Sequence, residues 1–154
     1  MREEIGVKGI LTIEVFENNK LVRTIKDENK IVDNAYKIIS AVMNGDSSRK
    51  ISKIVLGDGG IVNSVLQTVN VTDHDLYHRV KSNTVEFQSN TTTKTISYSS
   101  LFKFDEGESY LISEAGLFNQ YDTMFNRKTF TEFAVNENFH LNIKWDITFS
   151  FNDV

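Results

Sequence analysis

From residue 140 to residue 151 the chain alternates without a break: Leu141, Ile143, Trp145, Ile147, Phe149 and Phe151 are apolar, and His140, Asn142, Lys144, Asp146, Thr148 and Ser150 are polar. Successive side chains of a strand point to opposite faces, so this period of two predicts one long strand with a buried face and a wet face. Upstream, residues 110–118 and 124–133 read as two further strands, joined across the polar stretch Asn119-Gln120-Tyr121-Asp122-Thr123. Three neighbouring antiparallel strands with one apolar face are enough to found a sheet. Nearer the start, residues 8–16 read as a strand with Leu11, Ile13 and Val15 on one face, and residues 21–25 return after the turn Glu17-Asn18-Asn19-Lys20. Residues 26–30 are charged and read as a solvated segment. One helix is predicted, with Asp33 as N-cap, an apolar face of Ala35, Ile38, Ile39, Val42 and Met43, and Asn44-Gly45 ending it.

Residues 51–56 are apolar enough for a strand covered on both faces, and they stop at Gly57-Asp58-Gly59-Gly60. The pattern is weak over residues 61–81, which read as a long loop with a helical turn near residues 73–78. Residues 84–88 and 94–104 form a second predicted hairpin around residues 89–93, and Asp105-Glu106-Gly107-Glu108 turns the chain into the C-terminal sheet. The expectation is a mainly β chain: an antiparallel β-sandwich of about eight strands with one packed α-helix, as a single domain over residues 1–154. The N-terminal hairpin, residues 1–25, either folds into that domain or serves as an assembly arm.

Composition narrows the class. The 154 residues include 11 Phe, 5 Tyr and 1 Trp, which together with many Thr, Val and Ile favour strands. The absence of Cys excludes disulfides and thiolate metal sites, and the absence of Pro leaves the turns to Gly, Asn, Asp and Ser. A net charge of -4 without a basic block argues against binding nucleic acid through its phosphates. No apolar run approaches the roughly 20 residues that span a bilayer, so no membrane insertion is expected. Met1-Arg2-Glu3-Glu4 lacks an apolar signal-peptide core, which predicts synthesis in the cytosol and a soluble product.

Candidate chemistry is sparse. Gly57-Asp58-Gly59-Gly60 follows a strand as a phosphate loop would, but it has neither GxGxxG nor GK[ST] spacing, and tight-turn glycines are the expectation. His74 and His78 would share a helical face at the spacing of zinc ligands, yet HDLYH lacks the glutamate of HExxH. The segment reads better as a polar loop. Asp73, His74, Tyr77 and His78, with Tyr121, are therefore the candidate interface or ligand residues, and no cofactor or metal is expected. Glu114 and Arg127 lie on the two arms of the central hairpin, facing each other directly if the loop is 119–122. They are expected to form a structural ion pair, in the fold or at a subunit contact. Asp105, Glu106 and Glu108 are adjacent in a turn and read as a solvated rim rather than a glycosidase pair. There is no GxSxG elbow, His140 faces outward, and no convergent set of catalytic groups is visible. A non-enzyme is expected.

Four segments in order carry a resemblance: Val55-Leu56-Gly57-Asp58-Gly59, Ile112-Ser113-Glu114-Ala115-Gly116-Leu117-Phe118, Met124-Phe125-Asn126-Arg127-Lys128-Thr129-Phe130 and Leu141-Asn142-Ile143-Lys144-Trp145-Asp146-Ile147-Thr148-Phe149. Together they resemble the tail fibre or tail-associated structural proteins of tailed bacteriophages and phage-tail-like particles. The resemblance runs from residue 51 onward and leaves the loop 61–81 without a counterpart, the stretch expected to meet a particular partner. It implies a structural subunit of a tail, baseplate or fibre attachment that assembles as a homo-oligomer and contacts other particle proteins. It also implies a location in the host-cell cytoplasm during synthesis and in the virion or particle afterwards. Two further expectations stand beside it. One is a receptor- or carbohydrate-binding module at the particle tip, with Tyr77, Tyr110 or Tyr121 around a groove for a host-surface glycan. The other is a capsid decoration or head-fibre role.

Overall fold

The computed structural model describes residues 3–153. The protein is mainly β, with one α-helix among the described residues and a single 3-10 turn at Ser47–Arg49. The strands are β1 (Glu3–Glu17), β2 (Lys20–Ile31), β3 (Ile51–Gly57), β4 (Ile61–Val62), β5 (Val65–Leu66), β6 (Arg79–Thr84), β7 (Glu86–Asn90), β8 (Thr95–Lys103), β9 (Tyr110–Asn119), β10 (Met124–Val135) and β11 (Phe139–Asp153), and the helix is α1 (Ala35–Met43). Nine strands form one antiparallel sheet in the order β6-β3-β9-β10-β2-β1-β11-β8-β7, and β4 and β5 make a separate small hairpin.

That sheet folds on itself into two layers. β2 pairs with β1 from Lys20 to Asn29, then crosses over and pairs with β10 through Lys30 and Ile31. The two end strands β6 and β7 are separated in the chain by Val85 alone, so they act as a second strand that turns from one layer to the other. Side chains seal this corner: Asn83 Nδ2 donates to the Leu101 carbonyl (2.7 Å) and Ser100 Oγ to the Thr84 carbonyl (2.9 Å). Corners made by layer-switching strands leave a sandwich with few open edges. The first layer is β2-β1-β11-β8-β7 and the second is β6-β3-β9-β10.

Between the layers lies one core. Leu11, Ile13, Val15, Phe102, Leu141, Ile143, Trp145 and Ile147 of the first layer meet Ile54, Leu56, Ile112, Ala115, Leu117, Phe130, Phe133 and Val135 of the second. Trp145 is fully buried, and its indole N–H donates to Asn29 Oδ1 at 2.7 Å. Asn29 reaches it across Gly9, its register partner, where any Cβ would collide with the amide. Ala35 and Ile38 of α1 join the same core, with Ile39 packed against it. Gly45, at φ 90°, ends the helix in the left-handed region as its sequence predicts.

The alternating strand and both hairpins stand where the pattern places them. Four expectations change. Residues 26–30 are not a solvated segment; they continue β2, with a mostly exposed face. The helix is preceded by Asn34 as its N-cap, not Asp33, and has no side-chain cap. Residues 61–81 hold β4, β5 and the start of β6 rather than an unbroken loop, and residues 73–78 contain no helical turn. The strands number eleven among the described residues, because short pairs and the layer-switching β6 carry no periodic signal.

Candidate functional site

The centre of the second layer, around β9 and the adjoining parts of β3 and β10, is buried on both faces. Its outer face carries Val55, Phe118 and Met124, and residues 58–78 lie over it with Leu76 inserted as a plug beside Val32. This second small core explains why β9 fails to alternate: it has no wet face.

Glu114 is at the centre of the covered face, with no exposed surface. Its Oε2 accepts from Arg127 Nη2 (2.6 Å), Arg127 Nε (3.1 Å) and the Tyr77 backbone N–H (3.1 Å). Its Oε1 accepts from the backbone N–H groups of His78 (2.9 Å) and Gly59 (3.1 Å). Arg127 then passes charge outward, donating from Nη1 to Asp73 Oδ2 at 2.9 Å. Alongside, Gly60 N–H donates to Ser113 Oγ (2.9 Å), and Thr129 Oγ1 donates to the Gln67 carbonyl (2.7 Å). Apart from the two Arg127–Glu114 bonds, which lie within the sheet, each of these bonds ties the sheet to the covering loop. A buried carboxylate needs such compensation: an isolated one costs far more than any loop could recover.

The glycines find their reason here. A Cβ on Gly57 or Gly59 would run into Glu114, and one on Gly60 into the Ser113 carbonyl. Gly57-Asp58-Gly59-Gly60 does present backbone N–H to an anion, but the anion is the protein's own carboxylate. Gly116, opposite Arg127 in the β9–β10 register, leaves the space into which Leu76 descends.

The expected ion pair is therefore present and intramolecular, with one correction to its geometry. Arg127 is paired with Gly116 and Thr129 with Glu114, so the two charges are diagonal neighbours. A register shift between Met124 and Asn126 slides β10 relative to the simple hairpin. With five donors on its two oxygens, Glu114 has no lone pair directed at solvent, and the arrangement holds backbone rather than moving protons.

The other candidate residues are scattered around the loop. Asp73 belongs to the anchor, while His74 is exposed and apart from it. His78 contributes its backbone N–H to Glu114, and its exposed ring lies 2.6 Å from Asp58 Oδ1. Among the described residues no three His, Cys, Asp or Glu side chains are grouped to hold a metal ion. Tyr77 is 68% exposed at the loop surface. Tyr121 stands in the β9–β10 turn with the Arg49 guanidinium 4.0 Å over its ring. Tyr110 is at the opposite end of β9 and donates to Glu108 Oε2 (2.9 Å), so the three tyrosines do not surround one groove.

Two surface networks frame the site. Asp122 Oδ1 accepts from Lys53 Nζ (2.6 Å) and Arg79 Nη1 (2.8 Å), and these cations hold its carboxyl below the usual range. Arg79 also pairs with Asp75 Oδ1 (2.7 Å) and covers the Phe118 ring. In the Asp105–Glu108 turn, Glu108 is drawn down to about 2 by Lys81, then by the Asp105 N–H and the Tyr110 hydroxyl. Asp105 and Glu106 remain exposed, as a rim would be.

Sequence reasoning missed the loop's part in this site: Gly59, Gly60, Leu76, Ser113 and Thr129. A usable signal existed in Ile112-Ser113-Glu114-Ala115-Gly116-Leu117-Phe118, since a carboxylate inside an otherwise apolar strand demands several donors. Comparison with protein-family models, with curated proteins and with solved structures returned no match. No helix among the described residues is long and apolar enough to cross a membrane.

Proposed function

We propose that the chain is a structural subunit of a bacteriophage tail or phage-tail-like particle, acting through protein–protein contact. The carrying observation is what the patterned strands do with their charges. Glu114 and Arg127, one from each of the two most distinctive segments, bond to each other and fasten residues 58–78 to the second layer. The fastened loop presents Val65, Leu66, Val71 and Tyr77 to solvent, each at least 45% exposed. Apolar groups on a backbone already ordered bind a partner without a further ordering cost, which suits a repeated assembly contact. Immunogold electron microscopy of released particles, with antibody to this chain, tests the reading. Label on the distal tail supports it, label on heads moves the chain to a decoration role, and particles without label while the protein stays free in the lysate overturn it.

A second reading has one observation in its favour. The outer face of the first layer forms an open groove of about 740 Å³, lined among others by Thr12, Glu14, Lys26, Ser99, Asn142 and Lys144. Hydroxyl, amide and charged groups suit a polyhydroxylated ligand such as a host-surface glycan. Binding on a glycan array that is lost in Asn142→Ala favours this reading, and a flat array removes it.

A further inference from the structure

At one end of the first layer two strands run past their neighbours. Pairing of β1 with β2 stops at Gly9–Asn29, and pairing of β11 with β8 stops at Thr148–Thr95, while β1 and β11 stay paired out to Glu3–Asp153. The result is a two-stranded ribbon projecting from the body, with residues 3–8 of β1 joined to a strand on one side only among the described residues. Its inward-type face continues the core pattern beyond the core. Ile5 pairs with Phe151 and Val7 with Phe149, and Ile5 and Phe151 are 66% and 59% exposed. A bare edge next to uncovered apolar side chains is a template for another strand.

We infer that residues 4–8 pair antiparallel with the same residues of a second copy of this chain, giving a two-fold dimer centred on Gly6. The sequence of the edge, Glu4-Ile5-Gly6-Val7-Lys8, selects the partner and the register. With Gly6 on the axis, Glu4 stands opposite the partner's Lys8, Lys8 opposite the partner's Glu4, and Ile5 opposite the partner's Val7. Opposite charges and apolar pairs directly across strands both stabilise an antiparallel ladder. Sliding by one residue sets apolar against polar side chains, and sliding by two sets Glu4 or Lys8 against Gly6. Directly opposed residues share a face. Ile5 and Val7 of both copies therefore form one continuous patch, extended on each side by Phe149 and Phe151, and each edge gains the hydrogen bonds it lacks. An isologous contact of this kind closes after two copies. Lys8 already meets Glu28 at 2.8 Å within its own chain, but both side chains are more than half exposed, so the ammonium is free to serve the new pair. The inference does not depend on the particle reading.

Sedimentation equilibrium of the full chain over a wide concentration range tests it. The expected result is a monomer–dimer equilibrium in which Glu4→Lys weakens the dimer roughly 5- to 30-fold, because two opposite-charge pairs become like-charge pairs. Glu4→Lys/Lys8→Glu, which restores both pairs in reversed order, returns the constant to within roughly threefold of the native value. A second readout fixes the register independently. The native chain has no cysteine, so an oxidised equimolar mixture of Ile5→Cys and Val7→Cys should yield the mixed cross-linked pair well beyond the twofold excess over each like pair that random pairing gives. A chain that stays monomeric at every concentration overturns the inference. So does a dimer indifferent to Glu4→Lys, or a cross-link without preference for the mixed pair.

Discussion

The outer faces of the two layers are treated in opposite ways. In the first layer the outer face is open and polar: Thr12, Lys144 and Ser99 lie side by side in register across β1, β11 and β8. In the second layer the outer face is covered, and the cover is held by Glu114, Ser113 and Thr129 from below and by Leu76 from above. An open face needs only alternation, and each side chain can be changed alone. A covered face has to place charge, glycine and backbone together, and its residues become interdependent.

That contrast can be broken by mutation. Arg127→Ala is expected to have the largest effect, about 3–5 kcal/mol of stability in denaturant unfolding, because it strands the Glu114 charge in the interior. A loss near the ~0–1 kcal/mol of a surface pair would mean that the face is not closed. Gly60→Ala forces a methyl group against the Ser113 carbonyl and should cost about 1–3 kcal/mol, together with faster proteolytic cleavage within residues 58–78. On the open face, Thr12→Ala and Lys144→Ala should each stay within about 0.5 kcal/mol of the native protein. A larger loss at either position would put that face under a cover too.

A pH measurement sharpens the contrast at the rim. The Glu108 carboxyl falls from an ordinary 4.5 to about 2 in the folded chain, chiefly through Lys81. The unfolded chain then holds more protons than the folded one between those values. Stability therefore rises with pH across about 2 to 4.5, and this contribution disappears as pH falls through about 2. Carboxyl-carbon NMR should give Glu108 a midpoint of about 2, and Lys81→Ala should move it back toward 4.5.

How much could be read from the chain follows the same division. The strand from Leu141 to Phe151 was legible because one of its faces is wet, and the turn Asn18-Asn19 because both residues sit at positive φ, 49° and 64°, where Asn is tolerated. Glu114 and Arg127 were legible as a pair, but their diagonal placement depends on a register shift that no side-chain pattern announces. β6 was not legible. Arg79-Val80-Lys81-Ser82-Asn83-Thr84 is polar at a corner between layers, and its pairing with β3 is decided by the strands on either side. The loop's purpose was hidden for a related reason: Leu76 is its single buried apolar side chain among residues 58–78, and apart from the Asp73–Arg127 pair the bonds that anchor it to Glu114, Ser113 and Thr129 run between its backbone and side chains of the sheet.

One buried carboxylate keeps residues 58–78 closed over the second layer. Amide hydrogen exchange of Gly59, Tyr77 and His78 tests it most directly, in the native chain and in Glu114→Gln. All three amides should be protected in the native protein as strongly as those of β9, and Glu114→Gln should release the three together while β11 stays protected. Fast exchange at these amides in the native chain, or protection unchanged by Glu114→Gln, would contradict it.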